Sequence, residues 1–205
     1  MPGWLEYAIY SLGVCLTIFI VPGQIFFLSI REGMRGLRNG VLMLMGVLTA
    51  EVVLIALLAL GFIHIFLEYM TLVNLAGATL LIWLGISAIR SGLRGVEMGE
   101  IDDSASRGPY LRGLLLTLLN PPYIIWLITV GAALLGEGLT TIGETAYLIF
   151  AASLLGGSAL VTMVLVWLAA AGRRPLREKG FRILFLISGS AFLFIAVRLL
   201  FLLRV

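Results

Sequence analysis

The stretches VPGQ at positions 21–24 and NPP at positions 120–122 interrupt two long apolar runs, one in each half of the chain. Proline removes a backbone hydrogen bond from a helix and clashes with the carbonyl group four residues earlier. In a lipid bilayer the freed carbonyl needs another partner, so broken helices occur only where they are buried in protein or line a cavity. Matching interruptions in the two halves of a membrane protein therefore predict a transport site where the halves meet.

The composition is that of an integral membrane protein. Of the 205 residues, 61% are hydrophobic and 12% are charged, whereas about a quarter of the residues are charged in a soluble domain. We expect a single membrane domain over residues 1–205, with the lipid bilayer as a partner. The formal net charge of +3 lies in short basic clusters between apolar runs, so we interpret it as a topology signal and expect no nucleic-acid partner.

Six apolar runs are each long enough to cross the bilayer, since a helix needs about 20 residues for that purpose. No basic residue precedes the first run, so we expect it to be a retained helix rather than a signal peptide. The sequence predicts an all-α integral membrane protein with six transmembrane helices, of which helices 1 and 4 are broken by proline. The runs cover residues 4–30, 40–66, 71–89, 113–135, 144–171 and 183–203.

The basic residues also predict the orientation in the membrane. Of the 14 Lys and Arg residues, all except Arg198 and Arg204 lie in the loops after the first, third and fifth runs. The positive-inside rule places these loops in the cytoplasm, so both termini are predicted to be extracytoplasmic. We expect the membrane to be the plasma membrane. Arg198 lies deep in the sixth run, and we expect it to face protein or to find a carboxylate.

A long polar segment, 91–110, divides the chain into two sets of three helices. We predict a first half at 1–90, a cytoplasmic connecting loop at 91–112 and a second half at 113–205. Three helices in each half give the halves opposite orientations, as a 3+3 inverted repeat requires. The two proline breaks lie at similar depths, which departs from strict inverted symmetry but allows them to meet in space.

The breaks predict a site for an anionic group. The half-helices that begin after Pro22 and after Asn120 present free backbone amides and partial positive charge at their N-termini, which favours a carboxylate. The side-chain amides of Gln24 and Asn120 lie beside them. The alternative is a pair of proline kinks that improve packing, with these side chains capping free backbone groups.

Glu51 lies near the middle of the second run. A charge at that depth is costly, so we expect a protonatable acid that faces a cavity or a partner on another helix, because its own helical neighbours are apolar. Such an acid suits proton-coupled transport. The alternative is a neutral acid that is hydrogen-bonded across a pair of helices.

The sequence has too few cysteine and histidine residues for a redox cysteine pair or a His/Cys metal site. Cys15 is the single cysteine and His64 the single histidine, so an intramolecular disulfide, a CxxC pair and a His/Cys metal cage are excluded. We predict no cofactor and no enzyme activity.

Several motifs resemble those of the LysE/RhtB-type amino-acid exporters, and the resemblance covers nearly the whole chain. Gln24 stands where that family has a second proline, and Pro122 where it has a lysine. Because this chain lacks that positively charged lysine, its substrate is not implied to be the family's usual one. The matching positions are VPGQ at 21–24, Arg31, Gly40, Gly46, Glu51, Gly77, LG at 84–85 and LLNP at 118–121.

The resemblance implies a secondary exporter of amino acids or related small solutes that uses the proton gradient. A metal-ion or other inorganic exporter of the same superfamily and a non-transporting membrane subunit stay open as alternatives, as does a homo-oligomer. The candidate substrate and ion-binding residues are Pro22, Gly23, Gln24, Glu51, Asn120, Pro121 and Pro122.

Overall fold

The protein is all-helical in the part that its computed structural model describes, which comprises residues 3–62, 69–94, 108–172 and 178–202. Five helical stretches are long and apolar enough to cross a membrane. This finding confirms the class of all-α, multi-pass membrane protein. The stretches are Gly3–Ile20, Leu37–Leu60, Leu75–Leu93, Pro121–Ile142 and Thr145–Ala170.

The first half of the chain forms four helices around the first interruption. Helix α1 ends two residues before Pro22, and α2 begins two residues after it. The helices are α1 (Gly3–Ile20), α2 (Gln24–Met34), α3 (Leu37–Leu57), which a π-helical turn (Leu58–Phe62) extends, and α4 (Met70–Arg94).

In the second half, too, one helix ends before the interruption and another begins after it, and the helix before it is short. Helix α5 ends at Leu118 and α6 begins at Pro121, and a π-helical segment joins α6 to α7. The helices are α5 (Pro109–Leu118), α6 (Pro121–Trp126), the π segment Leu127–Gly131, α7 (Ala132–Ile142), α8 (Thr145–Ala170) and α9 (Glu178–Leu202), which covers the sixth apolar run as far as Leu202.

Two predicted boundaries are wrong. The loop predicted at 136–143 is helical as far as Ile142, so the fourth candidate span begins at Pro121 and α5 precedes it. Glycine in this stretch serves packing: a Cβ atom on Gly138 would meet the ring of Tyr7. The helix ends at Gly143, whose φ of 65° is the left-handed conformation that glycine favours.

The basic loop predicted after the first run is also largely helical. Helix α2 carries Arg31 in its last turn, and only Arg35 and Gly36 connect it to α3. Gly36 has a φ of 131°, a backbone conformation that other residues rarely adopt. Residues 63–68, at the end of the second apolar run and in the link to the third, and most of the segment 91–110 fall outside the described residues.

Glycines set the closest helix crossings. Helix α3 packs along α5, and α4 packs along α9. A Cβ atom on Gly46 or Gly113 would overlap the backbone of the facing helix, and the same holds for Gly85 and Gly189. Small residues let helix backbones approach closely in a membrane, so these pairs fix the crossing points. Helix α8 contacts α1, α2 and α3.

Candidate functional site

A cavity of about 240 Å³ lies at the two interruptions of the chain. Gly23 and Gln24 from the first interruption line it, together with Asn120 and Pro122 from the second. Residues of α1, α4, α8 and α9 complete the wall. The structure thus brings together, at one cavity, two stretches that lie about a hundred residues apart in the sequence.

The wall of this cavity is apolar and aromatic with a few polar groups. The hydroxyl groups of Ser29 and Thr162 belong to it, and Ser29 donates its hydrogen to the Ile25 carbonyl at 2.7 Å. Among the described residues that line the cavity, none carries a formal charge. Four rings contribute to the wall, those of Phe19, Phe26, Tyr123 and Phe192.

The N-terminus of α2 opens at the cavity wall. Gly23 is the N-cap residue, with an extended backbone (φ −115°, ψ −166°), and no side chain in the described part of the chain caps this helix end. The Gly23 carbonyl accepts the first helical hydrogen bond, from the Phe27 amide at 3.1 Å. The positive end of the α2 dipole is therefore available to an anionic group in the cavity.

Asn120 caps the helix on the other side of the cavity. Its side-chain oxygen accepts a hydrogen bond from the Tyr123 amide at 3.4 Å, and the two prolines occupy the first helical positions, where a missing N–H costs nothing. The capping alternative considered from the sequence therefore holds for this amide. Because the Asn120 oxygen faces the helix, its NH₂ group is the part left to donate to a ligand.

Glu51 lies behind the cavity wall rather than in it. The side chain is fully buried in α3, and its electrostatic partners are the hydroxyl groups of Ser158 on α8 and Tyr123 on α6. Neither carboxyl oxygen of Glu51 has a hydrogen-bonding partner of good geometry among the described groups. The groups that interact with it lie on other helices than α3. Glu51 is not among the residues that line the cavity, whereas Tyr123 lines it and also interacts with Glu51. Tyr123 therefore connects the acid to the cavity.

The remaining candidates lie at the edges of the site. Pro22 is buried and Pro121 is exposed, and neither is among the residues that line the cavity. Their effect on the site is to end α1 and to begin α6. Four of the seven candidates therefore meet at the cavity, one lies a layer behind it, and two set the course of the backbone.

Sequence reasoning missed Tyr123, Ser29 and Phe192 as parts of the site. Tyr123 could have been found, since it directly follows the NPP stretch and must lie in the first turn of the half-helix. Ser29 and Phe192 carry no such signal, because an isolated serine or phenylalanine in an apolar run is unremarkable. Thr162 of α8 also lines the cavity and was not predicted as part of the site.

The ion pairs of the described residues lie away from the cavity. Arg112 on α5 donates to Glu32 on α2 at 2.6 Å. Arg198 on α9 donates to Glu137 on α7 at 2.8 Å, and its guanidinium lies 3.5 Å from the centre of the Tyr10 ring. The expectation that Arg198 finds a carboxylate is confirmed.

Comparison with known proteins gives one family and several relatives. The family described as LysE type translocator matches residues 16–202. The threonine efflux proteins of Escherichia coli strains K12 and O157:H7 are each 27% identical over 137 residues, which is 62% of this chain and 66% of theirs. An uncharacterized membrane protein of Pseudomonas aeruginosa is 28% identical over 135 residues, or 62% of each chain.

The coverage of these relatives is partial. The chain spans slightly less than two thirds of the length of the threonine efflux proteins that it matches. No solved structure matches the chain.

Proposed function

Because this chain belongs to the LysE type translocator family, we propose that it exports amino acids or related small solutes across the plasma membrane in exchange for protons. The observation that carries the proposal is the cavity to which both interrupted stretches contribute. Broken helices that border a cavity between the two halves of a chain are the usual site of a secondary transporter. The names of the threonine efflux relatives support an amino acid as the substrate class.

In this proposal the carboxylate of the amino acid lies at the N-terminus of α2. The backbone amides after Gly23 and the side-chain amide of Gln24 would donate to it from one side. The NH₂ group of Asn120 would donate from the other, beside Pro122. An uncapped helix end needs no further cation to hold a carboxylate, because its amides and its dipole both favour negative charge.

Glu51 is the proton carrier in this proposal. It is fully buried, and a buried carboxyl group gains or loses its charge only at a substantial cost in free energy, so its protonation is coupled to its surroundings. Pro22 and Pro121 have a supporting role, since they break the helices at the site. Loss of a proton from Glu51 on one side of the membrane and its uptake on the other would drive the exchange.

The membrane arrangement belongs to the proposal as well. We place six spans in a 3+3 repeat, with halves at 1–90 and 113–205 joined by a cytoplasmic loop at 91–112 and with both termini outside. The pairing of α4 with α9 through Gly85 and Gly189 supports it, because the third helix of each half would meet its counterpart at the repeat axis. The unequal lengths of α1 and α5 make the symmetry approximate.

The test is counterflow in proteoliposomes that contain the purified protein. Each common L-amino acid is loaded inside unlabelled and supplied outside in labelled form, with and without a pH gradient. We expect exchange of at least one amino acid and its accumulation against a gradient when the pH difference is imposed. Glu51→Gln should lose the response to the pH gradient, whereas Glu144→Gln, which changes an exposed acid at the turn before α8, should keep it.

Two results would reject the proposal. One is the absence of exchange with every amino acid, and the other is a full response to the pH gradient in Glu51→Gln. Sensitivity of a deletion strain to metal ions, without a defect in amino-acid export, would favour the inorganic exporter instead. A stable partner on affinity purification without any flux would favour a non-transporting subunit.

A further inference from the structure

The cavity wall contains nothing acidic among its described residues to bind a positively charged group. An amino acid at neutral pH carries an ammonium group as well as a carboxylate. If the carboxylate lies at the N-terminus of α2, the ammonium must face the rest of the wall, where four aromatic rings are found. The face of an aromatic ring attracts a cation, and more strongly so away from water.

Tyr123 carries the one hydroxyl group among these four rings, and that hydroxyl interacts with Glu51. Tyr123 is 2% exposed and borders the cavity, while its hydroxyl group is buried without a hydrogen-bonding partner in the described structure and interacts electrostatically with the Glu51 carboxyl. Its ring is held between Phe19 at 6.2 Å and Trp126 at 6.5 Å between ring centres. Asn120, which caps the first turn of α6, fixes the backbone of Tyr123.

We propose that Tyr123 couples the proton on Glu51 to the substrate, with its ring facing the ammonium group of the bound amino acid and its hydroxyl group contacting Glu51. This inference rests on the proposed function and assigns a positioning residue that the sequence had not indicated. It also defines the substrate class as one that carries a free ammonium group.

The direction of the coupling follows from the charges. An ionised Glu51 can only accept hydrogen bonds, so the Tyr123 hydroxyl donates to it. The negative charge behind the ring then attracts an ammonium group on the cavity side. Once Glu51 takes up a proton, that charge disappears and the carboxyl can itself donate to the tyrosine oxygen, so the ammonium group is held less tightly. Proton and substrate therefore exclude each other, as antiport requires.

No positively charged group among the described residues that interact with Glu51 would neutralise its ionised carboxylate. The groups that interact with it come from three helices: Cys15 on α1, Tyr123 on α6 and Ser158 on α8. All three are uncharged when protonated, and no cation is among the described groups that interact with this acid. An ammonium group bound in the cavity would thus supply the positive charge that compensates an ionised Glu51.

The test compares Tyr123→Phe with Tyr110→Phe in proteoliposomes. Tyr123→Phe keeps the ring at the cavity and removes only the hydroxyl group. Tyr110→Phe is the matched control, since it removes a hydroxyl that donates to Thr49 on α3 at 3.2 Å, two residues from Glu51. The probe is a labelled mixture of the common L-amino acids, and the readout is the half-saturating concentration for exchange at a series of pH values.

We expect the half-saturating concentration of the unmodified protein to rise as the pH falls, by up to about tenfold per pH unit where each substrate displaces one proton. Tyr123→Phe should still exchange, but its slope should flatten to less than about twofold per unit, as in Glu51→Gln. Tyr110→Phe should keep the unmodified slope. N-acetylthreonine, which keeps the carboxylate but lacks the ammonium group, should compete for exchange far less than threonine does.

The possible results distinguish failure of this inference from failure of the proposed export function. An unmodified slope in Tyr123→Phe would show that the hydroxyl does not couple the sites. Loss of exchange at every pH in Tyr123→Phe alone would show that the tyrosine only builds the cavity, and competition by N-acetylthreonine equal to that by threonine would refute the ammonium contact. Absence of exchange in the unmodified protein would refute the proposed function and this inference with it.

Discussion

Arg112 and Glu32 join the two interrupted regions by a short ion pair, with 2.6 Å between Nη1 and Oε1. The Glu32 side chain is completely buried and that of Arg112 is 22% exposed. Arg35, one turn after Glu32 on the same segment, contacts the same carboxylate oxygen at 3.4 Å. The segment that follows the first interruption is thus held against the helix that precedes the second one.

Glu32→Gln should destabilise the protein strongly. Glutamine cannot form the charged contact with Arg112 and Arg35, and breaking a buried ion pair costs about 3–5 kcal/mol when both partners are fully buried. Because Arg112 is partly exposed, we expect about 2 kcal/mol or more. The measurement is the thermal unfolding midpoint of the detergent-purified protein.

The second ion pair provides the control for this prediction. Glu137 and Arg198 are 29% and 37% exposed, and in Glu137→Gln the Arg198 guanidinium keeps its contact with the Tyr10 ring, so this change should cost less than Glu32→Gln, about 1 kcal/mol. High salt should weaken this pair more than the buried one, because screening acts on solvent-exposed charges. Equal losses of stability in the two variants would contradict the difference in burial on which the prediction rests.

The sequence was sufficient for the helical class, for the meeting of the two interruptions and for the carboxylate partner of Arg198. These features depend on quantities that a sequence contains, namely apolar length, the positions of proline and the high cost of an unpaired charge in an apolar run. The position of Glu51 behind Tyr123 was not predictable in the same way. Depth along a helix can be counted from residues, but α3 is apolar on nearly every side, so its buried face carries no polar pattern.

The predicted end of the fourth apolar helix was wrong, and the role of glycine in membrane helices explains the error. The gap between the fourth and fifth apolar runs indicated a loop at 136–143, whereas Gly138 lies within a helix and permits close contact with Tyr7. In a membrane helix, glycine more often marks a packing surface than a break. Only Gly143, with its positive φ, ends a helix in that region.

Gly113→Ala should destabilise the protein through the crossing of α3 and α5. A Cβ atom on Gly113 would overlap the Met43 carbonyl, which belongs to the backbone and cannot turn aside. Forcing extra volume into a packed contact costs about 1–3 kcal/mol. The thermal unfolding midpoint should fall accordingly.

Gly156→Ala is the matched control and should have the opposite sign. Gly156 lies within α8 with nothing within 4 Å of its would-be Cβ atom. Alanine is favoured over glycine in a helix interior by about 1 kcal/mol, so the midpoint should rise or stay unchanged. A loss of stability in Gly156→Ala as large as that in Gly113→Ala would refute the assignment of Gly113 to a close crossing.

Asn120→Asp should separate the cap of α6 from the binding of substrate. An aspartate oxygen caps a helix as well as an asparagine oxygen does, so the Tyr123 amide keeps its partner. The NH₂ donor is lost, however, and a negative charge replaces it at the cavity wall, where the carboxylate of an amino acid is proposed to lie. We expect an unchanged unfolding midpoint and a loss of amino-acid counterflow of about tenfold or more.

Asn120→Ala completes the comparison, because it removes both the cap and the donor. It should lower stability by about 1 kcal/mol, the usual worth of an N-cap, and should lower counterflow as well. If Asn120→Asp transports as well as the unmodified protein, the side chain serves the helix alone, and the carboxylate must be bound at the N-terminus of α2 without it. If Asn120→Asp instead unfolds as readily as Asn120→Ala, the hydrogen bond to Tyr123 is not what stabilises this end of α6.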